Sequence, residues 1–162
     1  MAFAFSETNQ KSFTSQIPPE AVNLELISQI LSDQNIEFEM DEDSIHVVNG
    51  LAFDVFITID EEKNLIKLRT YLQLKDSVSE KQLNDIATNL NHETGPLKFT
   101  TTYYGGESPP HGYIDGDYYF FYQFGFSAES FLYLTRFFSL AFSNAIKSVN
   151  KNKKISDMLF EG

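Results

Sequence analysis

The chain contains no cysteine among its 162 residues. That excludes a disulfide framework, thiolate zinc sites and a cysteine nucleophile, and it makes a reducing cytoplasm the natural compartment. Long apolar runs are missing too. A membrane helix needs ~20 apolar residues, and the nearest candidate, Phe131 to Ile146, is broken by Thr135, Arg136, Ser139, Ser143 and Asn144. No membrane insertion is therefore expected. The opening MAFAFSETNQKSF has neither a basic region nor a long apolar stretch, so it does not read as a secretory signal. Basic residues are almost absent from the first third. Residues 1–62 hold thirteen Asp and Glu against one lysine, Lys11, whereas residues 63–162 hold ten against eleven Lys and Arg. Binding to phosphate backbones requires a basic footprint, so a formal net charge of -11 argues against nucleic acid. It suits solubility or a partner with a basic face.

Chemical motifs are equally scarce. His46, His92 and His111 lie far apart, and no pair has the spacing of two metal ligands on one helix face. Asp115-Gly116-Asp117 resembles part of a calcium loop, but the other ligands and the closing glutamate are missing, so a hairpin turn is expected there. Gly105-Gly106 is too short to cradle a phosphate. Carboxylate pairs such as Asp41/Asp43 and Glu61/Glu62 fall in solvated turns, where nothing would raise a pKa for acid–base work. No catalytic residue, metal site or cofactor is assigned, and the expectation is a protein that is not an enzyme.

What is present is the pattern of one α+β domain. Residues 1–17 are polar without rhythm and are read as a flexible N-terminal arm; residues 18–150 form the domain, and 151–162 a C-terminal tail. Pro18-Pro19 opens a helix with the apolar row Leu24, Ile27, Ile30 and Leu31, ending near Asp33 to Asn35. IEFEM, SIHVV, LAFDVFITID and LIKLRTYLQL alternate as strands, with a tight turn at Asn49-Gly50. In the last of these, Lys67, Arg69, Tyr71 and Gln73 oppose the apolar Ile66, Leu68, Leu72 and Leu74, which fits an antiparallel sheet with one wet face. Ser79 and Gln82 form a capping box ahead of Leu83, Ile86, Ala87 and Leu90. LKFTTTYY and YYFFYQFGF are strands separated by a long loop over 105–117, and Ser127 caps a final helix reaching about Val149. Runs of strands with segregated helices predict an antiparallel sheet of about five strands in the order α-β-β-β-(β)-α-β-β-α.

The aromatics raise the question of binding. FFYQFGFSAESF, Phe120 to Phe131, is similar at Tyr122 to Phe126 to the aromatic strand of RNA-recognition domains, but it lacks that strand's basic start and any cationic surround. Phe120, Tyr122, Phe124 and Phe126 are expected in the core, with Gly125 on the opposite face allowing a close approach. The final helix is two-sided. Phe131, Leu134, Phe138, Ala141, Phe142 and Ala145 form one arc, and Tyr133, Phe137 and Leu140 form another roughly opposite. The second arc could hide roughly 400 Å², about 10 kcal/mol gross at ~25 cal/mol per Å². Association costs of ~4–15 kcal/mol absorb most of that, so the arc can anchor an interface but not form one alone. Either a partner covers it or the chain itself does.

Several segments together resemble the bacterial YbjN-like proteins, a family named as sensory transduction regulators. These are LSDQNIEFE at the end of the first helix, the strand pair AFDVFITID and LIKLRTYLQL, DIATNLNHE, and IDGDYYFFYQFGFSAESFLYLTRFF, spanning most of residues 20–148. The Gly-Gly…Pro-Pro-His loop is longer than the pattern. The resemblance implies a type III secretion chaperone-like fold, often dimeric, without catalytic residues. The function expected is thus that of a cytoplasmic, non-catalytic regulator that binds protein, with Tyr133, Phe137 and Leu140 in a homodimer or partner interface. The alternatives are a secretion chaperone cradling an extended client segment, and a small-molecule-binding domain or enzyme with a pocket built partly by the 105–117 loop.

Overall fold

The computed structural model describes residues 16–74, 78–93, 95, 97–107 and 110–150. Residues 1–15 of the expected arm and the 151–162 tail lie outside them. The elements run α1 (Leu24–Asp33), β1 (Phe38–Met40), β2 (Ser44–Val47), β3 (Val55–Asp60), β4 (Leu65–Gln73), α2 (Glu80–Glu93), β5 (Lys98–Tyr104), β6 (His111–Phe121) and α3 (Ala128–Asn150). The six strands make one antiparallel sheet in the order β1-β2-β3-β4-β6-β5. This is the expected α+β architecture with its optional fourth strand present.

Side chains cap the helices, at Ser79 and Ser127 as expected and at Asn23 in addition. The Asn23 side chain accepts from the Leu26 N–H at 2.8 Å and starts α1. Asn35, in the left-handed region at φ 53°, follows its end. The Ser79 N–H donates to Gln82 Oε1 at 3.0 Å, and the Ser130 N–H donates to Ser127 Oγ at 3.3 Å. The three helices line one face of the sheet. Between them and the strands lies a core of Ile27, Leu31, Ile45, Val55, Ile57, Ile66, Leu68, Ile114, Phe131, Phe138 and Phe142, all buried.

Several expectations are corrected. Pro18-Pro19 does not open α1; it opens a single 3-10 turn, Pro19–Ala21, and the helix begins after the Asn23 cap. Ile17, placed in the flexible arm, exchanges both backbone hydrogen bonds with Phe126 at 2.8 Å. Gly125 serves this contact: at φ +119° it lies against the Gln16 side chain. The strand expected from Leu51 starts at Val55, because the Ser139 hydroxyl on α3 takes both the N–H and the C=O of Phe53, at 2.8 and 3.1 Å. Finally, 111–117 is strand, not loop, and Tyr122 to Phe126 is a turn. Tyr122 and Phe126 are still buried, but Phe124, expected in the core, is 87% exposed.

Candidate functional site

The sheet has two unlike faces, and each ends in a surface without a covering element among the described residues. On the helical side, β6 brings Gly116 under Phe142 and Tyr118 beside Phe138, so α3 lies close along β6. This geometry turns the expected first arc inward: Phe131, Phe138, Phe142 and Ala145 are buried, with Leu134 and Ala141 partly so. Thr135 and Ser139 join them. The Thr135 hydroxyl is satisfied by the Phe131 carbonyl at 2.9 Å, and Ser139 by Phe53.

The second arc therefore points outward. Tyr133 is 67% exposed, Leu140 54% and Phe137 38%. The Tyr133 and Phe137 rings are near-parallel at 12°, with centroids 6.3 Å apart. A shallow notch of about 460 Å³ opens beside Tyr133, lined by Phe120, Glu129, Ser130 and Leu134. The three residues expected to form an interface thus sit together on one exposed helix face, next to a concavity that could receive a side chain.

The other face was legible only in part. Strand register stacks the outward residues into rows. One row runs Glu39, His46, Phe56, Arg69, Asp117 and Lys98 across all six strands. Tyr71 pairs with Asp115 and Gln73 with Tyr113; Asp115 then pairs with Thr100, Tyr113 with Thr102, and His111 with Tyr104. Asp117, expected in a hairpin turn, is buried to 4% exposure under two cations, with Lys67 Nζ at 3.1 Å and Arg69 Nε at 3.2 Å. Lys67 also sits over the Tyr119 ring, 5.6 Å from its centroid.

Aromatic rings form a ladder across this face. His46 stacks on Phe56 at 4.2 Å, Phe56 on Tyr71 at 5.5 Å, and Tyr71 meets Tyr113 edge-on at 5.7 Å. Tyr113 then meets both Tyr104, at 6.0 Å, and His111, at 5.5 Å. Beside the ladder a groove of about 510 Å³ is lined by Arg69, Gln73, Thr102, Glu107 and Asp115 together with the tyrosines. His46 and His111 thus share a face but stand at opposite ends of the ladder. Among the described residues no group of three metal-ligating side chains comes together, and no helix is long and apolar enough to cross a membrane.

No family model matches the sequence, and no curated protein matches it. Among solved structures the chain is similar to YbjN from E. coli, described as a candidate transcription regulator. The TM-score is 0.68 over 90% of this chain and 99% of that chain, at 19% sequence identity. The fold is YbjN-like. Coverage of nearly the whole of YbjN means that the likeness includes both layers, the helices as well as the sheet, rather than one shared motif. At 19% identity it is a likeness of fold, and neither the α3 arc nor the aromatic ladder is assigned by it.

Proposed function

We propose that the chain is a non-catalytic regulator that works by binding protein, with α3 as its association surface and a second copy of the chain as the primary occupant. One observation carries this reading: Tyr133, Phe137 and Leu140 lie exposed on one side of α3, with Tyr133 at the edge of a notch. Scaled by their exposure, the three side chains offer roughly 280 Å² per copy. A two-fold pairing uses the same patch from both copies, so it would remove roughly 560 Å² from water, about 14 kcal/mol gross at ~25 cal/mol per Å². That is comparable to the upper range of association costs, ~4–15 kcal/mol. The arc can therefore hold a dimer only with a polar rim recruited around it. The description of YbjN as a candidate transcription regulator supports the regulatory half of the proposal.

The client-cradling alternative has less support. Strand addition needs a free sheet edge; at edge strand β5 the Phe99 N–H and C=O are both taken by the Asn91 side chain at 2.8 Å, which leaves the three-residue edge strand β1 as the place for it.

The test is solution mass by light scattering over a concentration series, on the full chain and on Phe137→Asp. A dimer that the substitution converts to a monomer, with circular dichroism and melting retained, supports the reading. A monomeric parent chain, or a variant that remains dimeric, overturns the second copy as occupant.

A further inference from the structure

The outward face of the sheet has a chemistry of its own. A solvated sheet face normally mixes polar and charged residues. Here Phe56, Tyr71, Tyr113 and Tyr104 stand ring to ring on four neighbouring strands, β3, β4, β6 and β5. Tyr71 and Tyr104 are 47% and 44% exposed, so both rings reach solvent, each with one face stacked, on Phe56 and on His111 respectively. Strands lie ~4.8 Å apart, so four rings present a strip about 15 Å long, roughly the length of five residues of extended chain.

Carboxylates outnumber cations along the ladder. Lys67 and Arg69 share the single carboxylate of Asp117, and Lys98 is its cross-strand neighbour. Against these three cations stand Asp117, Asp115, which accepts from the Thr102 hydroxyl at 3.1 Å, and Glu107, 3.6 Å from His111 Nδ1. At the far end of the ladder His46 lies between Asp54, at 3.2 Å, and Glu39, at 4.0 Å. Aromatic π faces attract cations, and carboxylates at both ends of the ladder do the same. A phosphate-bearing ligand would meet the wrong sign at each of these positions.

We infer that this face binds an extended, arginine-bearing segment of a partner protein, its guanidinium groups lying on the Tyr71–Tyr113–Tyr104 rings within reach of Asp115 and Glu107. Arginine suits the site better than lysine because its planar group both stacks on a ring and bonds a carboxylate in a forked geometry. The surface lies on the opposite side of the sheet from the α3 arc, so this inference stands or falls independently of the dimer reading.

The probe is a fluorescent twelve-residue peptide of alternating arginine and threonine, titrated into the full chain by anisotropy. An acidic peptide of equal length and a single-stranded oligonucleotide serve as comparators. Expected results are saturable binding of the arginine peptide alone, weakening as salt rises. Tyr71→Ala should lower affinity about twofold to fivefold, Tyr71→Phe should preserve it, and Asp115→Asn should lower it by a similar factor. Tyr71→Ala removes no charge, so an unchanged affinity in that variant means that general attraction to an acidic protein explains the binding, and the inference fails. Oligonucleotide binding that Tyr71→Ala abolishes also overturns it, as does loss of self-association in Tyr71→Ala, which would give the face to a second copy. Phe137→Asp should leave peptide affinity unchanged.

Discussion

Gly116 gives the sharpest test of the way the helices meet the sheet. It lies in the middle of β6, opposite Thr70 and Phe99, and a Cβ built there would approach Phe142 Cδ2 and Cε2 to 2.5 and 2.8 Å. Ordinary contacts between carbons begin near 3.5 Å. Relief would require the ring to move, but Phe142 is fully buried and held by Phe53, edge-on at 4.9 Å, and by Phe99, stacked at 5.6 Å. Two effects oppose each other in Gly116→Ala. Removing a strand glycine restricts the unfolded chain and gains ~0.5–1 kcal/mol, while overpacking costs ~1–3 kcal/mol. With the ring fixed on two sides the upper half of that cost applies, for a net loss of about 1–2 kcal/mol. In a chain of this size, that corresponds to a fall in Tm of about 2–8 °C. Gly106→Ala is the control, because a Cβ there meets nothing within 4 Å. Melting followed by circular dichroism, with urea titration in parallel, measures both. Adding Phe142→Leu should recover part of the loss in Gly116→Ala, a coupling of ~0.5–3 kcal/mol between touching residues. A Gly116→Ala protein as stable as the parent, or more so, would refute the close packing of α3 on β6.

Two further substitutions probe buried polar groups. Asp117→Ala leaves Lys67 and Arg69 facing each other without their shared carboxylate. Both cations are partly in water, with side chains 27% and 48% exposed, so the loss should be about 1–2 kcal/mol rather than the ~3–5 of a fully buried pair. A urea midpoint unchanged from the parent would show that the cations relax freely into solvent. Tyr122 is 1% exposed, and its hydroxyl has no hydrogen-bond partner among the described residues. Burial, reinforced by the nearby charges of Glu61 and Asp60, pushes its phenol above the ordinary range. The folded state then keeps a proton that the unfolded state has lost. The stability contributed is complete below about pH 10 and declines as pH rises through it. Tyr122→Phe should remove Tyr122's share of that alkaline decline. At neutral pH it should be neutral or stabilising by up to ~1 kcal/mol, since no bond is lost. A clear destabilisation at pH 7 would reveal a partner for the hydroxyl.

The features legible in the sequence are those with local causes. The Ser79–Gln82 capping box, the Ser127 cap and the alternation of LIKLRTYLQL depend on residues a few positions apart, and each forms as expected. The grouping of Tyr133, Phe137 and Leu140 opposite the buried arc of α3 follows from helical periodicity in the same way. The misread segments used familiar residues for distant purposes. Asp115-Gly116-Asp117 has the composition of a turn, yet Gly116 is small for the sake of Phe142, 26 positions on, and Asp117 serves Lys67 and Arg69 on another strand. Phe124 follows the strand alternation of its neighbours, but the chain turns after Phe121, which breaks the period and leaves its ring in water.

The aromatic ladder escaped for a related reason. Tyr71 and Tyr104 each occupy an unremarkable outward position in their own strand, and Tyr113 falls in the stretch expected to be a loop. They become a surface only when β4 and β6 pair with Gln73 opposite Tyr113, and β5 and β6 with Tyr104 opposite His111. A one-residue slip in either pairing would move the outward rings of one strand to the helical side. Gly116 opposes that slip, because the residue replacing it beneath Phe142 would be Asp115 or Asp117. The glycine that lets α3 lie close to the sheet therefore also holds the register that assembles the tyrosines on its other face. A Gly116→Ala protein that keeps its fold but shifts β6 should lose affinity for the arginine peptide together with stability.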